Sequence, residues 1–180
     1  MSKAIDDLKH EHEAILSALQ ILQNMNRQIA AGTKIPKADI TGFIGFLKEF
    51  ADKCHHGKEE GILFPALIKA GIPEGGGPVG VMLSEHTKGR QLIKEMEAAL
   101  ISSPNYEQFV KSAEGYSSLL KAHIEKENNV LFPTAEKVLA ATELEGIYDQ
   151  FEEHEEKVIG QGRHEELHEM LKDLKKKYPG

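Results

Sequence analysis

The sequence predicts an all-α fold, an antiparallel up-down four-helix bundle with an additional helix at its C-terminal end. Apolar residues recur at alternating three- and four-residue steps over long stretches, which is the mark of an amphipathic helix. Glycine and proline punctuate those stretches about one helix length apart. Ala, Leu, Glu and Lys dominate, Trp is absent, and alternating β-branched runs are missing.

The elements follow in order. Ile5, Leu8, His12, Ile15, Leu19 and Leu22 mark a first helix over about 3–30, stopped near Gly32 and the Lys34-Ile35-Pro36 loop. A second begins after Pro36 and runs to Leu63-Phe64-Pro65, where the proline is expected to end or kink it, having no amide to donate. The glycine-rich stretch between Gly71 and Gly80 is a loop. Val79, Met82, His86, Gly89, Ile93, Met96 and Leu100 mark a third helix, broken at Ser103-Pro104-Asn105. Phe109, Ala113, Tyr116, Leu120, His123, Glu127 and Val130 mark a fourth, ahead of a second Leu131-Phe132-Pro133. Leu144, Ile147, Phe151 and Val158 belong to a fifth stretch, interrupted at Gly160 and Gly162, with a short amphipathic tail from His164 to Tyr178. Four long helices with short links bury their stripes most simply as a bundle.

The 180 residues make one domain, with a four-helix core over about 3–140 and a helical extension over about 141–180. A net charge of −7 argues against a nucleic-acid partner. Charged residues stand in the first dozen positions where a secretory signal needs an apolar run, and no run of 18 apolar residues could span a membrane. Cys54 is the single cysteine, so no internal disulfide forms and a cytoplasmic location is expected.

The chemistry lies in an internal repeat. Residues 55–65, HHGKEEGILFP, and residues 123–133, HIEKENNVLFP, share His55/His123, Lys58/Lys126, Glu59/Glu127 and the Leu-Phe-Pro ending. Each copy follows a helix with a Glu-His pair, Glu11-His12 and Glu85-His86. The chain therefore reads as two related hairpins, each giving one His and then one His-x-x-x-Glu. The repeat register selects His55 over His56 and Glu59 over Glu60. Residues four apart share a helix face, about 5–6 Å between Cβ atoms, so an imidazole and a carboxylate can converge on one ion. A lone histidine on an apolar stripe is more often a hydrogen-bonded core residue. A carboxylate there is harder to dismiss, because burying it unpaired costs several kcal/mol. Four nitrogens and two carboxylates suit two ions of intermediate softness, which favours iron, with manganese and zinc as competitors.

These residues, with the GGPVGVMLSEH stretch at 76–86, resemble the hemerythrin family, specifically its HHE cation-binding branch, over roughly residues 5–140. The resemblance implies that His12, His55, Glu59, His86, His123 and Glu127 are the metal ligands, the two glutamates bridging a di-iron pair. It also implies a small ligand, because family members bind oxygen reversibly, sense oxygen or iron, or process peroxide and nitric oxide. Oxygen-carrying hemerythrins have a fifth histidine four residues after the helix-three histidine; here that place is Arg90, which leaves one coordination place open, or filled by water or another side chain. Arg90 is expected to face the same pocket, or else to pair with an acidic residue such as Glu85 or Glu97 at the surface. The leading expectation is a redox protein acting on oxygen, peroxide or nitric oxide; the alternative is an oxygen- or iron-sensing module without turnover.

Other residues have weaker claims. Tyr116 shares the His123 stripe, where packing is the favoured reading and a hydrogen bond to a ligand the functional one. His154 is a candidate for the missing ligand, though a hydrogen-bonded interior histidine is the favoured reading. His164 and His168 have metal-pair spacing in a polar setting that favours a solvated face. Cys54 reads as packing, and His10 and His56 as exposed neighbours of ligands.

Overall fold

The computed structural model describes residues 2–179, and every regular element among them is helical. Helix α1 (Lys3–Ala30) starts at Ser2, whose hydroxyl accepts the Ile5 amide at 3.3 Å. Helix α2 (Lys37–Phe46) passes without a break into a π-helical turn π1 (Leu47–His56), a second one π2 (Glu59–Leu63) and α3 (Phe64–Lys69). Helix α4 is Pro78–Ala98, and α5 (Tyr106–Lys126) runs on through π3 (Glu127–Leu131) into α6 (Phe132–Val138). The region past residue 140 holds two helices, α7 (Ala141–Val158) and α8 (Arg163–Lys177), where one additional helix and a short tail were expected.

The π turns decide between ending and continuing at the prolines. Pro65 and Pro133 do not end their helices; each sits in the first turn of a continuing helix, α3 or α6. The Phe64 and Phe132 amides reach back five residues to the carbonyls of Glu59 and Glu127. The wider turn makes room for a proline ring that would collide with the preceding turn of an α-helix.

Two apolar clusters fill the interior. One gathers Ile15, Phe50, Ala51, Ile93, Leu120 and Ile124 with their neighbours. The other gathers Leu8, Leu63, Met82, Leu131, Phe132 and Phe151. Each buried Leu or Phe contributes roughly 1.5–3 kcal/mol. The order along the chain is informative. Leu8 precedes His12 and Ile15 follows it; Ala51 precedes His55 and Leu63 follows Glu59; Met82 precedes His86 and Ile93 follows it; Ile124 precedes Glu127 and Leu131 follows it. On all four rods the histidines and glutamates thus lie between the clusters, as a polar layer in an otherwise apolar interior.

Candidate metal centre

The structure brings all six sequence-selected donors into that layer. His12, His55, His86 and His123 are each 1% exposed, and Glu59 and Glu127 are fully buried. His12 Nε2 lies 3.1 Å from Glu127 Oε2, His123 Nε2 3.2 Å from the same oxygen, His86 Nε2 3.3 Å from Glu59 Oε2, and His55 Nε2 3.7 Å from Glu59 Oε1. Donor atoms fall into two groups, each with mutual separations within 4.8 Å: His12, His55, Glu59 and Glu127, and His56, Glu59, His86 and His123. That is near the roughly 4 Å between donors on opposite sides of one ion. Glu59 belongs to both groups, as a bridging carboxylate would.

His56 corrects the sequence reading. It is 3% exposed, not an exposed neighbour, and its ring stacks on His86 at 3.8 Å between centroids and 19° between planes. The cause is π1. A helix bonded five residues back turns more slowly than an α-helix, so consecutive residues diverge less and both His55 and His56 face inward. A 3.6-residue period assigns only one of them to that side.

The opposite ring nitrogens fix the tautomers. His55 Nδ1 donates to Glu11 at 2.8 Å, His86 Nδ1 to Glu60 at 2.7 Å, His123 Nδ1 to Glu85 at 2.9 Å and His12 Nδ1 to Asn128 at 2.9 Å. A carboxylate can only accept, so Nδ1 carries the proton and Nε2 turns a lone pair inward. His86 Nε2 and His123 Nε2 then turn their lone pairs toward each other at 3.1 Å. The Nε2 atoms of His12, His55 and His56 and all four oxygens of Glu59 and Glu127 are buried without a hydrogen-bond partner. Buried polar atoms are seldom left so. Converging lone pairs and carboxylates are the environment a multivalent cation resolves, so the residues present fit a metal.

Without a metal, protons are the available cations. Burial pushes the His86 pKa down, but the Glu59 and Glu60 carboxylates beside its two ring nitrogens outweigh it and raise it to about 9. Burial likewise opposes the upward shifts of His55 and His123, which the surrounding glutamates drive. His56 goes the other way: burial and then the neighbouring His86, His55 and His123 lower it well below the ordinary value. It is a neutral imidazole with a free Nε2.

The remaining expected residues lie outside the donor layer. Arg90 does not face the donors; it pairs with acidic residues, as the alternative expected, but with Asp52 and Glu60 and not with Glu85 or Glu97. Its guanidinium, 36% exposed, donates to Asp52 at 2.8 Å and Glu60 at 2.7 Å. Two carboxylates draw it outward, and through Glu60 it braces His86. His154 is not a donor to either group; its Nε2 donates to the Lys53 carbonyl at 3.0 Å. Tyr116 is buried packing, with a hydroxyl that has no partner. His164 and His168 are not on a solvated face: both rings pack on Phe50, with centroids 5.2 and 5.3 Å away. His10 is exposed and Cys54 is buried, as read from the sequence. A groove of about 900 Å³, lined by residues such as Ile44, Lys48, Leu100 and Arg163, is lined by none of the inward-facing donors.

Fold and site together define an all-helical protein with a buried histidine–glutamate centre able to hold cations. The hemerythrin HHE cation binding domain model matches residues 3–135, and the chain belongs to that family. Uncharacterized protein Rv1995 of Mycobacterium tuberculosis is 24% identical over 178 residues, covering 96% of this chain and 69% of that protein. The iron-sulfur cluster repair protein YtfE of Escherichia coli is 34% identical over 131 residues, covering 68% of this chain and 56% of that protein. No solved structure matches the chain. Among the described residues no helix is long and apolar enough to cross a membrane.

Proposed function

We propose that this chain is a single-domain, non-haem di-iron protein of the hemerythrin type that handles dioxygen, peroxide or nitric oxide. In this reading His12, His55, Glu59, His86, His123 and Glu127 hold the two ions, and His56 is a seventh donor standing in for the position that Arg90 occupies. The single observation that carries it is the set of inward-facing, unpartnered Nε2 and carboxylate oxygen atoms at the Glu59–Glu127 layer. Nitrogen and oxygen donors without thiolate suit iron, manganese or zinc. That a relative carries the name iron-sulfur cluster repair protein supports iron among these. The alternation of the two apolar clusters along successive rods supports an antiparallel up-down order for the four core helices, with α7 and α8 packed outside.

When bound, a pair of iron ions supplies Lewis acidity and one-electron redox chemistry toward small ligands. The chain's residues set the conditions for it. Glu11, Glu60, Glu85 and Asn128 lock the imidazoles in the Nδ1–H tautomer, so every Nε2 is ready to bind without rearranging. The two apolar clusters exclude bulk water on either side of the layer. Donors exposed by 3% or less admit a ligand of a few atoms and keep out large metabolites.

The test is metal analysis with an absorption spectrum of protein purified under iron-replete conditions. Two irons per chain and a coloured protein are expected, with loss of metal in both Glu59→Ala and Glu127→Ala. Two tightly held ions in both variants would refute the assignment; a colourless protein holding two zinc ions would refute iron.

A further inference from the structure

The two halves of the centre are built alike, but only one of them reaches the helices past the family match. In each half a glutamate accepts the Nδ1 proton of the His-x-x-x-Glu histidine, and a lysine three residues after that histidine clamps the glutamate. Lys126 clamps Glu85, which holds His123; Lys58 clamps Glu11, which holds His55. The lysines differ in surroundings. Lys126 is 42% exposed. The Lys58 side chain is fully buried among three carboxylates, Asp7 at 3.0 Å, Glu11 at 2.9 Å and Glu155 at 3.2 Å.

Glu155 comes from α7, beyond residue 135, where the family match ends. Its neighbours press the same helix onto the donor-bearing segment. Phe151 lies under the Lys58 ammonium, 5.7 Å from ring centroid to Nζ. His154 donates to the Lys53 carbonyl, and Gly57 leaves the room for that ring: a Cβ there would stand 2.6 Å from His154 Nε2. Oxygens of Glu11 and Glu155 with the Cys54 sulfur also lie close enough together to resemble a third cation site. The Lys58 ammonium, hydrogen-bonded to both carboxylates, already meets that charge.

A buried ammonium stays charged and in place only while its anions stay with it. We propose that Glu155 and Lys58 are positioning residues for the His55 side of the metal centre. Helix α7 fixes Lys58, Lys58 fixes the Glu11 carboxylate, and Glu11 holds His55 in the tautomer and orientation that ligation requires. The His123 side depends on Lys126 and Glu85 alone and does not require α7. This rests on the reading that the cluster holds two ions.

The experiment loads the full chain with Fe(II) under nitrogen, then follows release of the two ions to a colour-forming Fe(II) chelator. Removing an outer partner of a metal-bound histidine weakens binding about 10- to 100-fold. Glu155 reaches His55 only through Lys58 and Glu11, so Glu155→Gln should speed loss of one ion by up to about 10-fold and leave the other within about twofold. Glu155→Asp, which keeps the charge, should restore much of the slow phase, and Glu156→Gln on the same helix should change neither. An independent readout is the His55 Nδ1–H proton, observed by NMR in the Zn(II)-loaded protein. Its exchange with water should quicken in Glu155→Gln while that of His123 does not. Equal acceleration of both ions, or a lower melting temperature with neither ion released faster, would make α7 a general cover and overturn the proposal. A parent protein that takes up fewer than two ions would overturn the reading beneath it, whatever Glu155 does.

Discussion

Replacing His56 with leucine separates a ligand from a packing residue by the sign of its effect. In the metal-free protein the His56 Nε2 is buried without a partner, and its ring is held neutral. An unsatisfied buried polar atom costs about 1–3 kcal/mol, and leucine removes it. Leucine also removes the stack on His86, worth about 0.5–1.5 kcal/mol. The balance lies between a loss of about 0.5 kcal/mol and a gain of about 2.5 kcal/mol. At about 2–4 °C per kcal/mol for a domain of this size, the metal-free melting temperature should fall by no more than about 2 °C and rise by up to about 10 °C. The loaded protein should respond in the opposite sense. Structural zinc sites gain about 10–16 kcal/mol from four ligands, or roughly 3 kcal/mol per ligand. Losing one should weaken that ion about 100-fold. Thermal unfolding with and without Fe(II), paired with metal analysis, reads both signs. A His56→Leu protein that melts more than about 2 °C lower without metal yet keeps two ions as tightly as the parent would show that His56 only packs.

Three further outcomes follow from the geometry. Glu60→Gln should keep two ions but bind the His86-side ion about 10- to 100-fold more weakly, because Glu60 orients the imidazole without reaching the donor layer; dialysis against chelator measures it, and complete loss of that ion would place Glu60 among the ligands. Gly57→Ala gains about 1 kcal/mol of helix propensity but drives a Cβ into His154, so Gly57→Ala with His154→Ala should be more stable than either single change, with a coupling near 1 kcal/mol; additive effects would mean the contact is slack. Tyr178→Phe removes the hydroxyl that donates to Asp39 at 2.6 Å and chiefly holds its carboxyl below the ordinary 3.8. A depressed folded-state pKa stabilises above the unfolded value and fades as pH falls through the folded one. The loss of about 1 kcal/mol at pH 7 should therefore shrink below about pH 3.8, and an equal loss at both pH values in thermal unfolding would remove Asp39 from the account.

That the six candidate donors cluster was legible because two independent patterns met on them. A 3.6-residue stripe placed His12, His86, His123 and Glu127 where leucine belongs, and the repeat fixed the register of His55 and Glu59. What a stripe and a repeat cannot register is a change of helical period. Hence His56 was put outside, and Pro65 was expected to end or kink a helix that continues through a π turn. The carboxylates behind the histidines were partly visible. Glu11 and Glu85 stood out as repeated Glu-His pairs, yet each serves the histidine of its own hairpin's other helix, a partnership set by packing and not by spacing. Arg90 was drawn toward the centre by its place one turn after His86; Asp52 and Glu60, one on π1 and one on π2, draw it away.

The π turns carry a consequence for anyone who would move this centre. Each acts as a phase shifter, one extra residue per turn that rotates everything downstream relative to everything upstream, about 100° on an α-helical scale. Grafting the HHGKEE segment onto a straight α-helix would keep His55 and Glu59 in line while swinging His56 toward solvent. A one-residue deletion within Leu47–Leu63 would restore α-helical phase and detach the donors from the Leu63-Phe64 anchor below them. The centre is thus specified by a winding error held in place, and its transplantation must carry the error along with the ligands.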